Sequence, residues 1–293
     1  MPAQRKGHVM LLITGATGNV GRPLIDRLTA EGASVRAVTR DPQAADLPSG
    51  VDVVRGNPSR PETIEAALRG VTGLFVNPRS VGTAIDELLA VAREQGVRRV
   101  VALTANNTDD DPAEQPSRYN GDLNREVDAA VTRCALEWTS LRPSFFATNV
   151  LGLWTAQIQA GDVIRGPYPR ATEAPIDPRD IADVAAHALL TDKLVGQRPE
   201  LTGPESLSYE QMATIVGDRI GRPLRYKEVP VAAARQAVVG RGFTEQFADA
   251  YLTRLAKTVN RPTITTDDVE KILGRPATTF AEWAAGRTGH RQP

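Results

Sequence analysis

The sequence predicts a doubly wound α/β fold, a parallel sheet with helices on both faces. Three observations predict it. Short β-branched runs alternate with helical patterns through the first half of the chain. Those runs are apolar throughout rather than every second residue, as strands buried on both faces are. The first of them passes through a glycine-rich turn straight into a helical pattern.

Taken in order, the expected strands are residues 9–13, 34–39, 51–54, 73–76, 99–103 and 138–141, with helices at 20–31, 60–68, 83–95 and 123–133 between them. Beyond residue 141 the rhythm changes. Residues 151–159 read as a helix and 166–170 as a turn-rich loop. Residues 175–180 lead into an alanine-rich helix at 181–190, with Asp180 expected as its N-cap. Helices at 209–220, 231–239 and 244–258 complete a smaller, mostly helical C-terminal region. The expected division is a first domain over 1–150, with 176–192 returning to it, and a helical substrate-binding lid region over 151–293.

Composition narrows the function. The 35 basic and 35 acidic side chains cancel, which leaves no electrostatic footprint for a nucleic-acid backbone. No run approaches the roughly 18 apolar residues of a membrane span. A single cysteine, Cys134, forms no intrachain disulfide and suits a reducing cytoplasm. No spacing of His, Cys, Asp or Glu suggests a metal: Asp109, Asp110 and Asp111 precede a proline without a nearby histidine and read as a solvated loop.

The sharpest motif is Thr14-Gly15-Ala16-Thr17-Gly18-Asn19-Val20-Gly21, between the first strand and the first helix. Gly15 permits a tight turn, Gly18 lets backbone approach a pyrophosphate, and Gly21 lets the helix pack closely on the sheet. The backbone amides around Asn19 and Val20 then lie at the positive end of the helix. The second strand ends in Thr39-Arg40-Asp41. An NAD site places an acid there for the ribose 2′-hydroxyl, whereas a neutral residue followed by a guanidinium suits a 2′-phosphate. NADP(H) is therefore favoured over NAD(H), the alternative being a solvated Arg40 paired with Asp41.

These stretches resemble the atypical short-chain dehydrogenases of the NmrA-like group, which carry a Rossmann fold. The resemblance rests on the phosphate loop, on 35–40 with Gly56-Asn57, and on Trp138-Thr139-Ser140-Leu141-Arg142-Pro143 with Phe146 and Asn149. It continues through Leu201-Thr202-Gly203-Pro204-Glu205, residues 265–274 and Phe280-Ala281-Glu282. It implies that Gly15, Ala16, Thr17, Gly18, Asn19 and Val20 cradle the pyrophosphate and that Arg40 takes the 2′-phosphate. It places Asn57, instead of the group's usual aspartate, beside the adenine, and Asn77-Pro78 along the ribose. Thr104 falls near the nicotinamide, while Phe145 and Phe146 flank it and the substrate cleft. Trp154 and Tyr168 are the further expected cleft residues.

Typical short-chain dehydrogenases carry a Tyr-x-x-x-Lys pair, the lysine easing proton exchange at the phenol. Here Tyr119 is followed four residues later by Leu123, and no lysine occurs between Gly7 and Asp192. Many NmrA-like relatives use a lysine or histidine four residues before an acid; the corresponding pair here is Asn124 and Asp128. The candidates for catalysis are thus Tyr119, Asn124 and Thr104. Two functions of different class follow. One is an NADPH-dependent oxidoreductase passing hydride to a small conjugated acceptor such as a quinone or an aromatic polyketide-like carbonyl. The other is a non-catalytic nucleotide sensor with a regulatory protein partner. A non-redox tailoring enzyme of aromatic natural products and a homo-oligomeric state stay open.

Overall fold

The structure, a computed structural model, describes residues 9–288. Its strands are β1 (Met10–Ile13), β2 (Ser34–Thr39), β3 (Asp52–Arg55), β4 (Gly73–Val76), β5 (Arg99–Leu103), β6 (Glu137–Pro143), β7 (Val163–Gly166), β8 (Thr172–Glu173), β9 (Glu200–Leu201), β10 (Leu207–Ser208) and β11 (Arg225–Glu228). Its helices are α1 (Gly21–Ala30), α2 (Glu65–Leu68), α3 (Pro78–Val81), α4 (Ile85–Glu94), α5 (Asn124–Arg133), α6 (Asn149–Ala160), α7 (Pro178–Leu190), α8 (Tyr209–Ile220), α9 (Val231–Gly240), α10 (Glu245–Lys257), α11 (Asp268–Leu273) and α12 (Phe280–Thr288).

The main sheet has the order β3-β2-β1-β4-β5-β6-β9, and its first six strands pair in parallel. The order reverses between β1 and β4, the position at which doubly wound folds bind ligands. Leu11, Leu12 and Ile13 are all buried, as a strand covered on both faces requires. Helix α1 buries Gly21, Leu24, Ile25 and Leu28, one face at helical spacing. On the side of α4 and α5 the core joins Leu12, Leu74, Val76 and Val100 to Leu88, Ala92, Val127 and Val131.

The chain divides into two compact units. The first holds the described residues up to Thr108, with Gly121–Arg142 and Ile181–Pro199; the second holds Asp109–Asn120, Pro143–Asp180 and the described residues from Glu200 onward. Residues 109–120 and 143–150, grouped by sequence with the first domain, therefore pack with the second unit. Its core gathers Trp154, Ile164, Tyr209, Met212, Phe280 and Trp283, with α12 on α8. Two small ladders complete it, parallel between β7 and β11 and antiparallel between β8 and β10.

Three expectations are corrected. Residues 60–68 form a 3₁₀ turn at Pro61–Thr63 and the single turn α2, because Thr63 bonds back to the loop: the Asn57 amide donates to its hydroxyl at 2.9 Å. The helix expected from residue 83 begins at Ile85, after a turn in which Gly82 takes φ +56°. Helix α7 begins at Pro178, and its capping acceptor is Asp177, whose Oδ1 takes the Arg179 amide at 2.9 Å. Proline is well suited to a first helical position, which moves the cap three residues upstream of Asp180.

Candidate functional site

The loop from β1 to α1 is built as a tight turn under a helix N-terminus. Gly15 has φ +64°, and a Cβ there would lie 2.8 Å from the Asn77 Cβ. The Gly18 amide donates to the Gly15 carbonyl at 3.0 Å, and the Arg22 amide to the Gly18 carbonyl at 3.2 Å, starting the helix. A Cβ on Gly21 would overlap that same Gly15 carbonyl, so loop and helix approach too closely for any side chain. A Cβ on Gly18 meets only the Gly15 oxygen, at 3.2 Å; beyond that contact the space over Gly18 is clear. Ala16 and Val20 are buried beneath the loop, while Thr17, Gly18 and Asn19 are exposed on it. Thr14 ties the turn to β4: its amide and hydroxyl both donate to the Phe75 carbonyl, and its Oγ1 accepts the Asn77 amide at 2.8 Å.

The other residues singled out for the cofactor surround this strand edge. Arg40 follows β2 and is exposed, with no ion pair to any described residue. The neighbouring acid is engaged elsewhere, since Asp41 Oδ1 accepts the Gln43 amide at 3.2 Å. The expected Arg40–Asp41 alternative is thus absent among the described residues. Asn57 is half-buried and turns its chain by accepting the Ser59 amide and hydroxyl at 3.2 and 2.9 Å. Asn77 caps α3 through the Arg79 amide, and Pro78 is buried at the first position of that helix.

Thr104, at the end of β5, is 4% exposed and belongs to a buried network. Its hydroxyl donates to the Leu141 carbonyl at 2.9 Å and lies 3.1 Å from Ser140 Oγ. Ser140 donates to Asp128 at 2.6 Å, and the Arg142 guanidinium reaches the other Asp128 oxygen at 3.1 Å. Arg198 lies 3.6 Å from the same carboxylate and over the Trp138 ring. Asp128, read as a possible partner of a catalytic group at 124, is therefore the anionic centre of an internal network. Asn124 is buried at the first position of α5.

Within the second unit, Tyr119 sits on the 3₁₀ turn Pro116–Asn120, half-buried where that turn packs against α10. Phe145 and Phe146 are half-buried; the Phe145 carbonyl accepts the Ile176 amide, and its ring meets Tyr209 edge-on at 6.3 Å. Trp154 is 3% exposed between Tyr209 and Tyr226, so it serves the core and has little surface for a ligand. Tyr168 is half-buried against the same core. Sequence reasoning missed a buried ion pair in this unit: Arg254 grips the buried Glu173 with two bonds, at 2.5 and 2.6 Å. Nothing in the sequence links residues 81 positions apart. Burial pushes the Tyr209 and Tyr226 phenols well above their ordinary range and Tyr251 up to about 12, so these tyrosines stay protonated.

Among the described residues no group of His, Cys, Asp or Glu could hold a metal, and no helix is long and apolar enough to cross a membrane.

The sequence profile of the NmrA-like family matches residues 8–284. The chain belongs to the NmrA-like family. It is 34% identical to the (4-alkanoyl-5-oxo-2,5-dihydrofuran-3-yl)methyl phosphate reductase of Streptomyces griseus, over 94% of this chain and 97% of that protein. It is 33% identical to the NAD(P)H azoreductase of Xenophilus azovorans, over 94% and 96% respectively. The fold of this NmrA-like chain matches that of an NADPH-dependent quinone oxidoreductase from Escherichia coli, solved with NADPH. The TM-score is 0.79 at 22% identity, covering 95% of this chain and all of that one.

Proposed function

We propose that the chain is an NADPH-dependent reductase of small conjugated acceptors, quinone-like or azo-like. The observation that carries the nucleotide reading is the β1–α1 loop, with clear space over Gly18 at a helix N-terminus and an exposed Arg40 bound to no carboxylate among the described residues. The reading draws further support from two relatives above 30% identity that are both named as reductases.

In this reading Gly15, Ala16, Thr17, Gly18, Asn19 and Val20 hold the pyrophosphate with backbone amides and the helix dipole. Arg40 takes the 2′-phosphate through its planar donors. Asn57 lies toward the adenine, Asn77 and Pro78 toward the ribose, and Thr104 toward the nicotinamide. Bound NADPH supplies a hydride. Tyr119 has no lysine partner at the family spacing, Asn124 carries no titratable proton, and the Thr104 hydroxyl donates within the fold. Such a protein suits an acceptor whose product charge is delocalised, since water can then deliver the proton. Phe145, Phe146 and Tyr168 give a small aromatic substrate apolar faces. The missing proton donor equally favours a second reading, a nucleotide sensor that turns nothing over.

Optical NADPH consumption against a panel of quinones, enones and azo dyes separates the two. The reductase reading expects turnover with at least one quinone or azo dye, little altered by Tyr119→Phe. Tight NADPH binding with no consumption on the whole panel would contradict it and favour the sensor.

A further inference from the structure

Helix α1 opens with Gly21, Arg22 and Pro23, and its first turn holds no acid. A guanidinium there faces the positive end of the helix dipole, where an acidic side chain would stabilise the helix. The arginine at 22 is therefore not explained by the helix that carries it. Its backbone belongs to the phosphate turn, since the Arg22 amide donates to the Gly18 carbonyl at 3.2 Å.

Its side chain reaches the loop between β2 and β3. The two ends of the guanidinium fork donate to consecutive carbonyls, Nη2 to Ala45 at 2.9 Å and Nη1 to Asp46. The Asp46 carboxylate lies 3.7 Å from the same Nη1. Ala45 is the one buried residue from 40 to 50, and Asp46 turns the chain at φ +44°. Among the described residues, the loop's other hydrogen bonds are local. The Asp41 amide donates to Thr39 Oγ1 and the Gln43 amide to Asp41 Oδ1, each at 3.2 Å. The Ala45 amide donates to the Pro42 carbonyl at 3.4 Å, and the Val51 amide to the Pro48 carbonyl at 3.3 Å. Arg22 is thus the polar tie between α1 and the segment that opens with the exposed Arg40.

We infer that Arg22 is a positioning residue for NADP(H) selectivity, its fork holding the β2–β3 loop on the first turn of α1 and so fixing Arg40 relative to the phosphate loop. The inference rests on the proposed function, in which Arg40 takes the 2′-phosphate, and adds a residue that acts through Arg40. An arginine on an untied loop gives up loop and side-chain freedom when it grips a phosphate. A loop tied in advance has already met that cost, which is where the affinity gain arises. NADH carries a hydroxyl in place of the 2′-phosphate and gains nothing from the tie. Lysine cannot replace Arg22, because an ammonium lacks the planar fork that spans two carbonyls.

The test titrates NADPH and NADH into the full chain, with thermal melting as the check on folding. It compares wild type with Arg22→Lys, Arg22→Ala, Arg40→Ala and the double variant Arg22→Lys/Arg40→Ala. Both Arg22 variants weaken NADPH about tenfold and leave NADH within about twofold of wild type. Arg22→Lys keeps the charge and the aliphatic stem, so it carries the test should Arg22→Ala melt below the assay temperature. The double variant binds NADPH within about twofold of Arg40→Ala, since a positioning residue then has nothing left to position. NADPH affinity kept in Arg22→Lys while Arg40→Ala loses it overturns the inference alone, because charge without the fork then suffices. Equal losses of NADPH and NADH also overturn it alone, assigning Arg22 to the pyrophosphate or to stability. Losses that multiply in the double variant do the same, making Arg22 a separate phosphate ligand. NADPH affinity indifferent to Arg40→Ala, or wild type that binds neither nucleotide, overturns the proposed function and this inference with it.

Discussion

A Cβ at Gly21 overlaps the Gly15 carbonyl, whereas a Cβ at Gly18 meets that oxygen at 3.2 Å and otherwise clear space. The two glycines six and three residues from Gly15 therefore fail differently. Gly21→Ala forces helix α1 off the loop, a small-to-large change that costs about 1–3 kcal/mol of stability. Gly18→Ala costs less than about 1 kcal/mol by the same reasoning, since one contact must give by a few tenths of an ångström. On the proposed function it weakens NADPH binding at least tenfold. Chemical denaturation and NADPH titration on the two variants check the split; equal loss of stability with unchanged affinity in Gly18→Ala would contradict it. These glycines were readable because their geometry is set within one strand–turn–helix segment. Trp154 was not. Its apolar surroundings look the same in the sequence whether the ring lines a cleft or fills a core, and Tyr209 and Tyr226, which cover it, come 55 and 72 positions later.

Helix α7 shows how an element can be legible while its ends are not. Asp177 and Asp180 are both acids near the start of an alanine-rich pattern, and Pro178 at the first helical position decides for Asp177. Asp180, freed from capping, is fully buried and holds the segment before α12. It accepts the Thr278 amide at 2.7 Å and hydroxyl at 3.2 Å and pairs with Arg275 at 2.8 Å. Asp180→Ala removes three contacts from two residues at once and leaves the Thr278 amide without its acceptor, an expected loss of about 2–4 kcal/mol. Denaturant unfolding measures it, and a change under 1 kcal/mol would show that this contact is not what anchors the segment. Four of the five strands that went unread share a physical reason. β8, β9 and β10 are two residues long, and β11 reads Arg-Tyr-Lys-Glu, so neither length nor apolar pattern marks them. They exist because distant partners supply their ladders.

For the whole molecule, the parallel sheet and its reversal between β1 and β4 follow from the alternation of apolar runs and helices. The candidate nucleotide edge is the part of the site that the sequence exposes most fully, since Gly15, Arg40 and Asn77 each lie just past a strand end. The internal networks were hidden. Thr104, Asp128, Ser140 and Arg142 join three elements, and the turn at Tyr168 draws its donors from residues 171 to 260. Such pairings depend on tertiary packing that no local pattern encodes. The central claim is that the first unit binds NADPH through the β1–α1 loop and Arg40. The most direct measurement is parallel titration of wild type and Arg40→Ala with NADPH and NADH. The account predicts tighter binding of NADPH than NADH by wild type. It also predicts a tenfold to hundredfold loss for NADPH in Arg40→Ala, the order expected for charge-assisted hydrogen bonds of about 1.5–3 kcal/mol, with NADH little changed. Binding of neither nucleotide, or an NADPH affinity indifferent to Arg40, would contradict it.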